Sequence, residues 1–174
     1  MALLGSARAG RVGFASLVLA VVLATSAAAQ QWTDIREGGF VIAMPGAPER
    51  SSQEVTVNGT GEVVDQVELT VTLGSVEFFV SHTVYRKMPP DLSTSQMLLN
   101  SRDGRPGHLL ADRALTVSGA PGREYVHEED GWILVTRSVY AGNTLYQLIV
   151  VGRAGVQTAP ATRRFFDSFR LIPP

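Results

Sequence analysis

The densest set of ligand-capable side chains in this 174-residue sequence is His127-Glu128-Glu129-Asp130. Carboxylates in such a run suit calcium, magnesium or manganese, and a histidine among them biases the choice toward a transition metal. In a strand, however, successive side chains point to opposite faces, which sends His127 and Glu128 apart. Neither an EF-hand loop nor a His-Glu-x-x-His helix is present to supply further ligands. The four residues therefore read as a solvated hairpin tip that could take a divalent cation at most, and no other cofactor is expected.

Three further groups could do chemistry. His82 shares a strand face with Val76, Phe78, Val80 and Val84. It could serve as a buried base or a metal ligand, but reads first as a hydrogen-bonded core histidine. If it is buried and neutral, its protonation would destabilise the fold. Asp91, Asp103 and His108 flank a helix and would form an acid/base cluster if the fold joined them. Arg123-Glu124, directly after Pro121-Gly122, could shape an anion site but reads more simply as cross-strand ion pairing. Asn58-Gly59-Thr60 satisfies the glycosylation sequon and doubles as a hairpin turn.

Several chemistries are missing altogether. There is no cysteine, which removes thiolate, disulfide and zinc-thiolate chemistry. No Gly-x-Ser-x-Gly elbow, Walker loop or dinucleotide glycine loop occurs. A glycosidase is not excluded in this way, since its carboxylate pair need not be close in sequence, but nothing among the sixteen acidic residues marks one. No catalytic residue is assigned.

The elements that must position these groups begin after a leader. Arg8 and Arg11 precede the apolar run Phe14–Ala24, and Thr25-Ser26-Ala27-Ala28-Ala29 supplies the small residues of a cleavage site. This pattern predicts a cleavable Sec-type signal peptide over 1–29, and not an integral membrane span. Its loss takes two of the fifteen bases and no acid, leaving 13 against 16 and a net charge of −3. That balance disfavours nucleic acid.

Residues 30–174 then read as a single α+β domain. Gly38-Gly39 opens a strand at Phe40–Met44, closed by Pro45-Gly46-Ala47-Pro48. Val55 and Val57, then Glu62–Thr72, then Val76–Tyr85 predict three consecutive antiparallel strands, with a bulge or a twist at Val64-Asp65. Ser93 as N-cap, Gln96 as its capping-box partner and a Leu92–Met97 staple predict a helix over Thr94–Arg102, ending at Gly104. Leu115 and Val117 mark a strand, Ser118–Gly122 a turn, and Arg123–Glu128, Trp132–Tyr140 and Thr144–Val151 further strands. The last is apolar on both faces and so should be central, with something covering each side. A final helix starts near Thr158, tolerates Pro160 and turns Ala161, Phe165 and Phe169 to the sheet.

Trp32, the run Gly39–Pro48, Gly119-x-Pro121-Gly122-Arg123-Glu124, Leu145-Tyr146-Gln147-Leu148 and Phe165-Phe166-Asp167-Ser168-Phe169-x-Leu171 together resemble small secreted proteins of the PsbP-like type. The resemblance implies an α/β/α sandwich, an antiparallel β-sheet covered by helices. It also implies an accessory role, since plant members are extrinsic subunits on a membrane complex. Its motifs are packing and turn signatures, so no site residue is carried over. The expectation is a periplasmic or extracellular accessory or binding protein without catalysis of its own. It would act on an envelope or membrane protein partner through a sheet edge or the 103–110 loop. The alternative is a small metal-dependent binder or hydrolase of the cell envelope.

Overall fold

A computed structural model describes residues 31–57, 61–86 and 92–172. The expected leader, the Asn58-Gly59-Thr60 sequon and Asp91 lie outside them. Two short strands, β1 (Thr33–Glu37) and β2 (Phe40–Met44), form a hairpin about Gly38-Gly39. With the terminal β10 (Arg170–Leu171) they make a three-stranded sheet in the order β1-β2-β10. The main sheet has seven antiparallel strands: β3 (Glu49–Thr56), β4 (Val63–Leu73), β5 (Val76–Val84), β6 (His108–Val117), β7 (Ala120–Glu129), β8 (Trp132–Ala141) and β9 (Thr144–Gly152). Their order is β3-β4-β5-β9-β8-β7-β6, two meanders joined where β9 pairs with β5. The strand that is apolar on both faces thus takes the central place its composition demands.

The local chemistry explains most boundaries. Asp130-Gly131 turns β7 into β8 with φ of +51° and +76°, the pair of left-handed residues that a two-residue hairpin requires. The Ser118–Gly122 turn is tighter than expected. Only Ser118 and Gly119 form it, both at positive φ, and Pro121 already lies in β7, one residue before pairing to β8 begins at Gly122. Nor is there a bulge at Val64-Asp65, since both pair in register with β3. The apolar phase slips there because Val64 is buried on the opposite face from Leu69 and Val71. The register shift falls instead in β6, between Leu109 and Ala111.

Helix α1 (Thr94–Asp103) begins as its sequence dictates, with the Ser93 hydroxyl accepting the Gln96 N–H at 3.1 Å. Only half of the capping box forms, because the Gln96 side chain donates forward to Asn100 at 2.9 Å. Helix α2 (Pro160–Ser168) starts later than expected. The residue before a proline avoids helical torsions, so Ala159 is extended and Val156–Thr158 forms a separate 3-10 turn.

The layers depart from a sheet covered by helices on both sides, and the architecture is dominated by sheets. One face of the main sheet is closed by α2 together with the small sheet. Phe40, Ile42 and Met44 meet Phe78, Leu148 and Phe165 in a common core. Among the described residues the other face carries only the ten residues of α1, which rest against β7 and β8. Met97 and Leu98 pack there on Tyr140 and Leu145.

Candidate functional site

Alternation along β7 separates the most ligand-rich segment. His127 is 4% exposed and shares the α1 side with Tyr125, whose ring it meets edge-on at 5.6 Å. Burial, reinforced by the positive charges of Arg105 and Arg102, holds its pKa below the ordinary value. Glu128 turns away and accepts the Gly131 N–H at 2.7 Å, fixing the hairpin. Glu129 and Asp130 are exposed at the tip. Among the described residues no three histidine, aspartate or glutamate side chains are grouped to hold a metal ion.

The helix-flanking residues do not converge either. Asp103 pairs with Arg102 at 2.7 Å, and Arg102 also reaches Asp112, which Arg123 binds from the neighbouring strand. Hydrogen bonds from Arg123 and then Arg102 hold the Asp112 carboxyl below its usual range, despite its desolvation. His108 stands exposed at the start of β6.

Arg123 and Glu124 lie on opposite faces, each in a cross-strand pair, as their adjacency suggests. Glu124 sits directly across from Arg113 on one side and Arg137 on the other. Their Nε atoms donate to it at 3.0 and 2.9 Å. Burial alone would raise this carboxyl, but the two guanidiniums outweigh it and hold the pKa low.

His82 keeps the predicted core face but not the predicted hydrogen bond. Both ring nitrogens are buried without a hydrogen-bond partner among the described residues. Its Nε2 stands 3.9 Å from Glu37, and its ring meets Phe40 edge-on at 6.0 Å. Burial lowers its pKa against the opposing pull of Glu37.

Two features escaped the sequence reading. The first is a hydroxyl cluster beneath α1. Ser101 Oγ meets Tyr125 at 3.0 Å and Ser138 at 2.9 Å, and accepts from the Gln147 amide at 2.8 Å. With no base in hydrogen-bond range, these groups pin the helix to the sheet.

The second is a groove on the same face, beside α1. Phe79 of β5 and Ile149 of β9 sit directly opposite each other there, as do Leu134 of β8 and Val151 of β9. All four are only half-buried. Two adjoining hollows, of about 260 and 420 Å³, share Leu134 and Val151. Glu68, Ser81 and Arg105 line the end near α1, while Glu77, Glu129 and Asp130 line the end at the hairpin tips. The signal was present in β9, whose two-sided apolarity requires a cover on each face. Leu145 receives one from α1, but Ile149 and Val151 do not.

No family model matches the chain, and no curated protein does. The solution structure of the cyanobacterial PsbP protein CyanoP, from Synechocystis, aligns over 84% of this chain and 95% of that one. The TM-score is 0.53 at 12% identity. The chain has a PsbP-like fold. A Pseudomonas aeruginosa protein of unknown function aligns over 82% of this chain and 97% of its own, with a TM-score of 0.43 at 13% identity. At such identities the likeness concerns the fold alone. The groove is therefore read from this chain's own residues on the PsbP-like framework.

Proposed function

We propose that this chain is an exported accessory or binding protein, without catalysis of its own, that docks on an envelope partner through the groove beside α1. The observation that carries the reading is the apolar strip of Phe79, Leu134, Ile149 and Val151, half-buried and lining two adjoining hollows, with the exposed Trp132 at one end. Contiguous apolar surface rimmed by polar residues is characteristic of interaction sites. The leader pattern at 1–29 supports export. The metal-dependent alternative would need His127 and the carboxylates of 128–130 to converge, and their divergence favours the first reading. The expected 103–110 loop is shorter than its sequence suggests, since β6 begins at His108, and of the 104–107 connection Arg105 lines the groove.

The test is a photo-crosslinking residue placed at Ile149 in the native host, with exposed Gln53 on β3 as the control position. A stoichiometric adduct from position 149 alone, on a protein whose N-terminus is cut near Ala29, is the expected result. An adduct from position 53 alone, or an intact Met1, overturns it.

A further inference from the structure

Resting on that docking reading, we infer that the groove takes an amphipathic helix of the partner that carries basic side chains at one end. Three observations define this occupant.

The first is spacing. Packed helices lie about 8–10 Å apart, and neighbouring strands about 4.8 Å apart. Helix α1 rests on β7 and β8. A second helix beside it therefore falls two strands over, above β9 and β5. That strand pair presents Phe79 opposite Ile149. From Ser81 to Ser75 the strip runs about 20 Å, the length of about 13 helical residues.

The second is backbone satisfaction. The groove is a sheet face, and every strand beneath it is already paired on both sides. An extended segment laid there would bury its N–H and C=O groups without partners, whereas a helix satisfies its own. Strand addition needs an open edge, and the edge strands of the main sheet are β3 and β6, away from the strip.

The third is charge. Glu77, Glu129 and Asp130 crowd one end, and among the described residues none forms an ion pair. The nearby Arg153, over the Trp132 ring at 3.8 Å and bonded to the Asp130 carbonyl, offsets one of these three charges and leaves the end net negative. Lysine or arginine over the hairpin tips, and an acid toward Arg105, would complement this field. A copy of this chain laid with its strip parallel would press acid on acid, and an anionic bilayer would be repelled. The chain's own N-terminus enters through β1, which belongs to the layer on the opposite face.

The test uses the exported protein with a 15-residue leucine/lysine amphipathic peptide, and a leucine/glutamate peptide of the same apolar face as control. Calorimetry should show saturable binding of the first at least 10-fold tighter than the second. Amide shifts should centre on Phe79, Leu134, Ile149 and Val151, and peptide helicity should rise. The exposed double reversal Glu77→Lys/Glu129→Lys should cut affinity at least 10-fold with an unchanged melt. Equal binding of both peptides, shifts on another face, dimerisation through this face, or binding to anionic vesicles in its place would overturn the inference. If position 149 crosslinks a partner that the leucine/lysine peptide does not displace, the helix assignment fails and the docking reading stands. If position 149 crosslinks nothing, the docking reading itself falls.

Discussion

Gly38 lies over the His82 imidazole so closely that a β-carbon on it would stand 2.7 Å from the ring. Gly38 also holds φ at +54°, a conformation side chains resist. The β1–β2 hairpin is thus seated on the main sheet by a glycine on a histidine, with Phe40 beside them. Gly38→Ala should cost about 3 kcal/mol, from backbone strain plus the clash. His82→Ala in the same chain should relieve the clash but not the strain. A double-mutant cycle in urea should therefore show coupling above about 1 kcal/mol. Strict additivity would mean the contact is not felt.

The same histidine makes stability depend on pH. Its folded pKa lies below the ordinary 6.5 because burial disfavours the cation, with Arg50 adding to that effect. As the pH falls the unfolded chain takes up the proton first. The contribution of the neutral ring is complete above about 6.5 and is lost as the pH drops through the lowered folded value. His127 acts in the same direction. His82→Phe keeps a ring under Gly38 and removes two buried nitrogens that lack partners. Between pH 7.5 and 5 its melting temperature should fall less than the parent's, and parallel profiles would exclude the role.

These residues show how much the sequence could disclose. Period-two patterning placed His82 on the core face and β9 at the centre, because alternation follows directly from strand geometry. The α1 N-terminus was legible from Ser93, and a hairpin tip between β7 and β8 from the run that ends at Asp130. The groove was not, because it depends on what fails to cover a face. Helix α1 spans β7 and β8 but leaves Ile149 only half-buried, a fact of tertiary placement that no spacing encodes. Strand β1 was missed for a related reason. Thr33–Glu37 buries only alternate residues, and only in part, against a small second sheet.

The hydroxyl cluster under α1 offers a sharper stability test. Tyr125 is fully buried, and its hydroxyl donates to the Ser101 carbonyl at 3.0 Å while meeting Ser101 Oγ and Ser138 Oγ. Tyr125→Phe leaves those partners under-satisfied and should cost about 2 kcal/mol. The loss should appear chiefly in α1, whose amides would exchange faster than those of β9. Uniform destabilisation of both elements would contradict a pinning role.

Glu124 couples three strands at once, through Arg113 and Arg137. Glu124→Gln keeps the shape but removes the charge that both guanidiniums face, at a cost of about 2 kcal/mol at pH 7. Its folded pKa is depressed. The carboxylate's contribution is therefore present above the usual carboxylate range and lost as the pH falls through the lowered value. Urea titrations should show the two proteins far apart at pH 7 and converging only as the pH falls below the usual carboxylate range. A gap unchanged with pH would sink the assignment.

Leu148 and Ile149 are neighbours on β9 that face opposite layers, and they separate what the fold needs from what the groove needs. Leu148 is fully buried against the small sheet and α2. Leu148→Ala should cost about 3 kcal/mol through lost transfer energy and the cavity left behind. Ile149 lies half-exposed in the groove opposite Phe79. Ile149→Thr keeps a branched strand residue and leaves no sealed cavity, so the cost should stay below about 1 kcal/mol. If the strip is an interface, this variant should lose the crosslinked partner while melting almost as the parent does. A loss on the scale of Leu148→Ala would instead assign the strip to the core, and with it remove the surplus apolar surface on which the docking reading depends.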